Sequence, residues 1–511
     1  MSLAKAGVDS SRWDALALAD ERTTYSWNDL DPIINRAANA LLTLDFRERR
    51  IAVFATNSAE TVITYVACLE VGISSVPVSY HLTSAEVDYI LQDSGAVALF
   101  VSPETAEAGL AAAAKAGVGT VIGWRCERRD GLIAWEDWLA EASDSEPPHD
   151  MQPLPHLHYT SGTTGRPKAT ETPPQYFPRA SSVNELATLL RPRVTPSPGL
   201  AVGPLYHTGP LGMARNVFAG MSLITMEHFD PEEALGLIEQ HRVAGSVMVP
   251  THFQRLLALP AETRAKFDVS SVQRLAHTGA ACPREVKHSM IDWFGPVLVE
   301  AYGGTEAGST TFITSEEWLA RPGSVGKALA PFETVIIGED GDELGPKEVG
   351  QVYFRDTSGH GIVYRGDPEK TAAAHIAPGV FTLGEMGYVD EDGYLFITDR
   401  VSDMIVSGGV NIYPAEAEHV LLRHPKVADI AIIGVPNKDM GEEAKALVIP
   451  ADPADPPGAD ELNDFCRGSL AGFKCPRSYE LVDDIGRTAM GKVNKRALRQ
   501  KYWSSDRTIG G

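Results

Sequence analysis

The segment His158-Tyr-Thr-Ser-Gly-Thr-Thr-Gly-Arg-Pro-Lys168 combines four Ser and Thr hydroxyls, two glycines and two cations. Glycines let backbone N–H groups approach an anion closely, while the hydroxyls add donors and Arg166 and Lys168 add positive charge. The glycines and the proline argue against a regular helix or strand. The spacing differs from that of the common P-loop, in which Gly-Lys-Ser/Thr closes the motif. We therefore predict an irregular polyphosphate-binding loop, and residues 158–168 are called the phosphate loop below.

The composition restricts the classes of partner. The chain has 45 Lys and Arg against 68 Asp and Glu, a formal net charge of −23, and no clustered basic run. Such a surface argues against nucleic-acid binding, which depends on clustered cations. Neither a signal peptide nor a stretch of apolar residues long enough to cross a bilayer is evident. The five cysteines show no paired spacing, so we expect reduced thiols and a soluble, cytoplasmic protein.

The order of elements predicts an α/β fold. At 511 residues the chain exceeds what one core normally supports. Strand and helix patterns alternate from Thr24 to about residue 123 and again from Leu200 to Ala281, which is typical of mostly parallel, helix-covered sheets. We predict a large N-terminal domain, residues 1–399, made of two similar α/β subdomains and a small β-rich subdomain from about Gly323. A small, mobile α+β domain is predicted over residues 400–511.

Local signals refine this outline. Ser26 and Thr83-Ser-Ala-Glu86 are typical helix starts, the second with a capping-box pattern. Residues 170–198 contain many prolines and little periodicity, and we predict irregular structure there.

Further motifs follow the phosphate loop in a fixed order: Pro204-Leu-Tyr-His-Thr-Gly209, Thr278-Gly-Ala-Ala281, Ala301-Tyr-Gly-Gly-Thr-Glu-Ala307, Gly384-Glu-Met-Gly387, Asp399 to Glu416, and Gly486-Arg-Thr-Ala-Met-Gly-Lys492. In this order the set resembles the adenylate-forming superfamily of acyl-CoA synthetases, adenylation domains and beetle luciferases, from about residue 24 to residue 500. The resemblance implies a ligase that forms acyl-AMP and pyrophosphate from a carboxylic acid and ATP and then transfers the acyl group to a thiol. ATP, Mg²⁺ and CoA are the implied cofactors and substrates.

The resemblance also assigns roles to individual residues. It implies polyphosphate binding by the phosphate loop, α-phosphate and Mg²⁺ contacts in the Thr-Glu pair, adenine contacts by small residues and a tyrosine, and ribose contacts by Glu385 and Arg400. Lys492 is the implied cation between the carboxylate and the α-phosphate, His207 the gate of the acyl pocket, and Gly408 and Gly409 part of the pantetheine tunnel. The predicted catalytic residues are Lys492, Thr305, Glu306 and His207, with Glu306 also the metal ligand. The predicted binding residues are Thr160, Ser161, Gly162, Thr163, Thr164, Lys168, Gly279, Ala280, Ala281, Tyr302, Gly303, Gly304, Glu385, Arg400, Gly408 and Gly409.

The sequence departs from the family pattern at several of these places. Leu383-Gly-Glu385 stands where Thr-Gly-Asp is usual, Ser402 stands at the hinge, and Ala169 follows Lys168 where glycine is usual. A glutamate still accepts hydrogen bonds from two hydroxyls but is one methylene longer. These departures motivate one alternative, a paralogue that binds nucleotide or acyl-AMP without turnover.

The substrate is less defined than the reaction. No acid near Tyr206-His-Thr suits the ammonium group of an amino acid, and the compact segment from Glu385 to Arg400 lacks the insertion of many acyl-AMP ligases. We predict a fatty, alicyclic or aromatic acid, with CoA as acceptor and a role in fatty acid metabolism. A carrier-protein acceptor is one alternative, and luciferase-type oxygenation, which shares these motifs, is another. A homodimer is the expected assembly if the protein forms an oligomer.

Overall fold

The computed structural model describes residues 1–160, 168–400, 403–407, 410–437, 440–470, 472–488, 491 and 493–503. Within these ranges the side chains at positions 160, 399, 400, 406, 410, 411 and 441 are not described. In this described part no helix is both long enough and apolar enough to cross a membrane.

The first part of the chain contributes a parallel sheet covered by helices. Its helices are α1 Leu3–Ala6, α2 Trp27–Leu42, α3 Ala59–Glu70, α4 Ser84–Ser94, α5 Ala106–Ala116 and α6 Trp135–Ala140. Its strands are β1 Leu16–Ala19, β2 Thr24–Ser26, β3 Arg50–Phe54, β4 Ser74–Val78, β5 Ala98–Val101, β6 Thr120–Gly123, β7 Ile133–Ala134, β8 Leu157–Thr160 and β9 Lys168–Glu171. Five of them pair in parallel in the order β4-β3-β5-β6-β7. Strands β3, β4 and β5 are buried along their whole length, as expected for a sheet covered on both faces.

The second part builds a larger, mixed sheet. Its helices are α7 Val183–Leu190, α8 Thr208–Phe218, α9 Pro231–His241, α10 Pro250–Ala258, α11 Ala261–Arg264, α12 Arg284–Phe294 and α13 Ser315–Ala320. Its strands are β10 Gly199–Ala201, β11 Leu223–Thr225, β12 Gly245–Met248, β13 Arg274–His277, β14 Leu298–Gly304, β15 Gly308–Thr314 and β16 Lys327–Ala328. The sheet has nine strands in the order β16-β15-β14-β13-β12-β10-β11-β1-β2, parallel in the middle and antiparallel at both edges. The first two strands of the chain therefore complete the second sheet and join the two halves.

A β-rich unit follows, as predicted. It contains β17 Phe332–Ile337, β18 Gly350–Asp356, α14 Pro368–Ala373, β19 His375–Ala377, β20 Val380–Val389 and β21 Leu395–Arg400. The five strands form one antiparallel sheet, in which β21 pairs with β20.

The remaining chain forms a small α+β unit with its own core. It contains β22 Ile405–Ser407, β23 Val410–Ile412, α15 Pro414–Leu421, β24 Val427–Asn437, β25 Gly441–Pro450, α16 Ala459–Arg467, β26 Ser478–Leu481 and α17 Lys495–Gln500. Its sheet has the order β23-β22-β25-β24, with β26 beside β25, and a separate group of buried apolar side chains lies between the sheet and its helices. The α/β class with a large N-terminal and a small C-terminal part is confirmed, whereas the boundary at residue 399/400 and the mobility of the second part stay predictions.

Two local predictions are confirmed and one is wrong. Helices α2 and α4 begin at Ser26 and Thr83, and the Glu86 carboxylate accepts hydrogen bonds from the N–H and hydroxyl of Thr83 at 2.8 and 2.7 Å. The prediction of irregular structure over 170–198 is wrong because α7 lies inside it. Ser182 caps α7, whose buried residues recur at helical spacing: Val183, Leu186, Ala187 and Leu190.

The phosphate loop is also more regular at its ends than predicted. Residues 158–160 belong to β8 and Lys168 begins β9, and the two strands pair in antiparallel register, with Thr160 opposite Lys168. Glycine and proline occur only between these ends, so the strand-breaking signal applies to the middle of the segment. That middle, residues 161–167 with Ser161, Gly162, Thr163 and Thr164, lies outside the described residues.

Candidate active site

Several of the predicted motifs lie at the carboxyl ends of the central strands of the large sheet. Strands β10, β12, β13 and β14 are mutually parallel neighbours. Their carboxyl ends lead into the segments that carry His207, Thr251, Gly279 and Thr305. In α/β sheets ligands bind at this edge, because loops from several strands converge there. The topology thus brings together motifs that lie far apart in the sequence.

The turn that carries Thr305 and Glu306 joins β14 to β15. Both residues are partly buried. A side chain at Gly303 would place its Cβ 1.9 Å from the carbonyl oxygen of Gly308, so only glycine allows the two strands to approach this closely. A Cβ at Gly304 would lie 3.0 Å from Glu306 Oε2. The glycines therefore leave room for the Glu306 carboxylate against the backbone.

Tyr302 and Glu385, predicted to flank adenine and hold ribose, contact each other. The Tyr302 hydroxyl donates a hydrogen bond to Glu385 Oε2 at 2.8 Å, and Glu385 is buried. Leu383 on the same strand approaches the position of a Gly304 Cβ to 3.2 Å. The backbone of Arg400 is opposite Glu385 in the β20–β21 pair, while its side chain is not described. The β-rich unit thus packs against the strand and turn that carry Tyr302 and Glu306.

The predicted adenine segment follows β13. Gly279 has a left-handed backbone with φ +88°, which glycine adopts without strain, and Gly279 and Ala281 are exposed while Ala280 is partly buried. Beneath the segment a buried ion pair joins α12 to β14, with Lys287 Nζ 2.6 Å from Glu300 Oε2. His277, fully buried, lies 3.5 Å from the same carboxylate oxygen. The ion pair thus connects α12, which follows the predicted adenine segment, to β14, which leads into the turn of Thr305 and Glu306.

His207 is the residue before α8. It is partly buried and its ring lies 4.3 Å from that of Tyr206, which in turn contacts the ring of Tyr80 at 5.3 Å. A Cβ at Gly209 would lie 3.2 Å from Val247 Cγ1, so the first turn of α8 passes close to β12. His207 thus lies at the start of a helix whose first residues are only partly buried.

Lys168 is the one phosphate-loop cation whose side chain the structure describes. Its Nζ lies 2.7 Å from Asp367 Oδ2, and this contact raises the pKa of Lys168. The segment 364–370 also hydrogen bonds to the phosphate hairpin, because Arg365 N–H donates to the Ala169 carbonyl at 2.9 Å. Ala169 itself is buried. Ala169, which stands where the family usually has glycine, is therefore packed inside the protein.

The same segment reaches Glu306. The Tyr364 hydroxyl hydrogen bonds to the Glu306 carboxylate, and the pKa of Tyr364 is raised by burial and by that negative charge. Lys370 Nζ lies 3.7 Å from the centre of the Tyr364 ring. Burial lowers the pKa of Lys370, while Glu306 and Asp367 oppose that shift. Two lysines and two carboxylates thus surround Tyr364: Lys168, Lys370, Glu306 and Asp367.

This donor set can be tested for a divalent cation. Among the described side chains no group of three or more His, Cys, Asp and Glu residues could hold a metal ion. Mg²⁺ commonly binds through one or two carboxylates and the phosphates of its substrate. A single carboxylate, Glu306, beside two lysines fits that arrangement and does not fit a cation held by protein ligands alone.

The predicted catalytic lysine belongs to the C-terminal part. Lys492 lies outside the described residues, but Gly491 is described, with φ +72° and its N–H donating to the Thr488 carbonyl at 2.7 Å. Arg487 donates to the Gly491 carbonyl at 2.7 Å and pairs with Asp429. A Cβ at Gly491 would lie 3.0 Å from Thr251 Cγ2. The residue before Lys492 thus lies against the first turn of α10, the helix that follows β12.

Gly408 and Gly409 lie outside the described residues. The strands on either side of them pair in antiparallel register, with Ser407 opposite Val410. The hinge residue Ser402 is likewise outside the described part of the chain.

Three site residues were missed by the sequence argument: Tyr364, Asp367 and Lys370. The Asp-Pro-Glu start of α14, in which Asp367 accepts a hydrogen bond from Lys370 N–H at 3.0 Å, is a helix-capping signal that could have directed attention to this segment.

A separate cavity of about 570 Å³ lies near Pro198, Ala244 and Gln273. These residues precede β10, β12 and β13, so this cavity is at the amino ends of the strands, opposite the candidate site.

The fold and the site together define an adenylate-forming enzyme of the acid–CoA ligase type. The AMP-binding enzyme family matches residues 6–362, and the AMP-binding enzyme C-terminal domain matches residues 416–492. A feruloyl-CoA synthase from Amycolatopsis sp is 34% identical over 497 residues, covering 96% of each chain. A fatty acid–[acyl-carrier-protein] ligase, ScoC, from Streptomyces coeruleorubidus is 32% identical over 498 residues, covering 95% of this chain and 93% of the relative.

A solved structure agrees with this comparison. ATP-bound MatB from Rhodopseudomonas palustris superimposes with a TM-score of 0.80 at 29% identity, covering 98% of both chains. The chain belongs to the AMP-binding enzyme family.

Proposed function

We propose that the protein activates a fatty, alicyclic or aromatic carboxylic acid with ATP and transfers the acyl group to CoA. The observation that carries the proposal is that the β-rich unit contacts several predicted site residues at once. Its Asp367 pairs with Lys168, its Tyr364 hydrogen bonds to Glu306, and its Glu385 accepts a hydrogen bond from Tyr302. The feruloyl-CoA synthase and the fatty acid ligase among the relatives support acids of the aromatic and fatty kinds.

In the first half-reaction a carboxylate oxygen of the acid attacks the α-phosphorus of ATP. The bond from that phosphorus to the bridging oxygen breaks, which gives acyl-AMP and pyrophosphate. Lys168 and Lys370 are on the side of the phosphate loop, so they would stabilise the departing pyrophosphate. Mg²⁺ bound to Glu306 and phosphate oxygens would neutralise negative charge on the phosphates. Lys492 would approach from the C-terminal part, next to Gly491.

In the second half-reaction the thiol sulfur of CoA attacks the acyl carbon, the thiol loses its proton, and AMP leaves. We propose that residues 1–399 and 400–511 rearrange between the two steps, with Gly408 and Gly409 near the pantetheine chain. Tyr302 and Glu385 would keep the nucleotide in place through both steps.

The direct test measures pyrophosphate release from ATP with a panel of aliphatic, alicyclic and aromatic acids, with and without CoA. We expect release with at least one acid in the absence of CoA, and formation of thioester and AMP only when CoA is added. Glu306→Gln should abolish release, while Glu316→Gln, an exposed acid on α13, should leave it unchanged. ATP binding without release for any acid would contradict the proposal and support the non-catalytic alternative.

The relative named as a carrier-protein ligase favours one second candidate, transfer to an acyl carrier protein. A parallel assay with a phosphopantetheine-bearing carrier protein separates the two. If thioester forms on the carrier protein and not on CoA, the carrier protein is the acceptor in place of CoA.

A further inference from the structure

Arg215 on α8 is a cation with no acidic partner among the described residues. Its Nη1 donates to the Tyr176 carbonyl at 2.5 Å, its charge lies 5.8 Å from the Tyr176 ring, and its Nε is buried without a hydrogen-bond partner in the described part of the chain. Burial lowers the pKa of Arg215 to about 10, and the positive charge of Arg193 lowers it further. Buried charges in proteins are normally paired, because desolvation without compensation is costly.

Arg215 lies on a side of α8 that the rest of the protein does not cover completely. Arg215 keeps part of its surface accessible although protein surrounds it, and so do Thr208, Gly209 and Gly212 on the same helix. The residues between them, such as Leu211, Ala214 and Phe218, are buried. The spacing places the accessible residues on one stripe of α8. At Gly212 the missing side chain leaves space in front of Arg215, whose Nη2 would lie 3.4 Å from a Cβ there.

The stripe begins at the residue predicted to be the gate of the acyl pocket. It begins beside His207, the residue before α8, and runs about 10 Å along the helix from Thr208 to Arg215. The far end also meets the loop of Glu306, because Tyr176 approaches the position of a Gly308 Cβ to 3.1 Å and its hydroxyl contacts Ser309. The partly accessible stripe of α8 therefore has His207 at its start and, at its end, a guanidinium whose Nε has no hydrogen-bond partner in the described part of the chain.

We propose that Arg215 selects an acid that bears, remote from the carboxylate that is activated, a second, hydrogen-bond-accepting oxygen. That oxygen belongs to a carboxylate or a ketone, both of which the planar guanidinium can bind through two N–H groups. The inference rests on the proposed function and restricts its substrates to acids that bear such a second oxygen. A plain hydrocarbon chain would leave the arginine desolvated and unpaired, which disfavours binding of such an acid.

The test compares three acids of matched length: a monocarboxylic acid, its ω-carboxy analogue and an analogue with a ketone near the far end. The value of kcat/KM for pyrophosphate release is measured for wild type, Arg215→Met, Arg215→Lys and the control Arg128→Met. Arg128 is exposed and near β7, away from the site. We expect wild type to prefer one of the oxygen-bearing acids by about 10- to 100-fold, through KM above all.

The variants make the outcome decisive. Arg215→Met should reverse the preference, with improved use of the monocarboxylic acid, which a loss of folding could not produce. Arg215→Lys should keep a reduced preference and Arg128→Met the full one. An unchanged ratio in Arg215→Met, or a wild-type preference for the plain acid, overturns this inference alone. No pyrophosphate release with any acid would overturn the proposed function and this inference with it.

Discussion

Tyr364 connects the proposed metal ligand to the segment that holds the phosphate hairpin. Its hydroxyl hydrogen bonds to Glu306 and its ring carries Lys370. An outer hydrogen bond of this kind fixes the orientation of a ligand carboxylate, and its loss typically weakens metal binding or activity by about 10- to 100-fold. The residue thus has a role that no motif had indicated.

Tyr364→Phe is expected to raise the Mg²⁺ concentration that gives half-maximal pyrophosphate release by about 10-fold. The ring and its contact with Lys370 remain, so only the hydrogen bond is removed. The matched control is Tyr388→Phe, in which a ring stacked on Phe396 at 4.9 Å in the same β-rich unit loses its hydroxyl. An identical Mg²⁺ dependence in Tyr364→Phe and wild type would show that the tyrosine does not orient Glu306.

Helix α12 and strand β14 are joined by the Lys287–Glu300 ion pair. Both residues are buried, and Lys287 also lies over the ring of Trp318 at 4.8 Å. Removing one partner of such a pair leaves an uncompensated buried charge, whereas replacing both can be nearly neutral.

Lys287→Met is therefore expected to lower the free energy of unfolding by about 3–5 kcal/mol, with Lys287→Met/Glu300→Leu recovering most of the loss. Urea unfolding followed by tryptophan fluorescence measures both variants. A double variant no more stable than the single one would mean that the pair itself, and not the orphaned carboxylate, supports the junction.

Sequence patterns predicted local features of the elements better than contacts between distant residues. Helix caps at Ser26 and Thr83 are local signals, and the structure confirms them. Helix α7 was missed because prolines on both sides concealed a short apolar repeat. The Tyr302–Glu385 contact joins two predicted site residues, while Lys168–Asp367 and Tyr364–Glu306 depend on how two units pack. Side chains that meet only through such packing leave no periodic trace in the sequence.

Buried histidines make the free energy of unfolding of the whole protein depend on pH. Burial lowers the pKa of His158, His252 and His277 to about 4, below the value of about 6.5 for an unfolded chain. Between these values the unfolded state binds more protons than the folded state, so the stability present above pH 6.5 is lost as the pH falls toward 4.

The free energy of unfolding should therefore decrease between pH 6.5 and 5, by up to about 1.4 kcal/mol per pH unit for each such histidine. Urea midpoints at pH 7, 6 and 5 measure this slope, and most carboxylates stay ionised over that range. His277→Gln should reduce the slope. A midpoint that does not change from pH 7 to 5 would contradict neutral, buried histidines in the folded state.

The two parts of the chain supply different halves of the proposed reaction. The larger part carries the nucleotide-side residues, and the loop beside Gly491 contacts it at Thr251. Lys492, next in the chain, is proposed to act on the adenylation step and to be dispensable once acyl-AMP exists.

Separate measurement of the two half-reactions of Lys492→Ala tests this account most directly. We predict that pyrophosphate release from ATP and acid falls by at least about 100-fold, while thioester formation from supplied acyl-AMP and CoA stays within a few-fold of wild type. Lys501→Ala, an exposed lysine of the same part of the chain, should affect neither step. Persistence of pyrophosphate release in Lys492→Ala, or an equal loss of both half-reactions, would contradict the account.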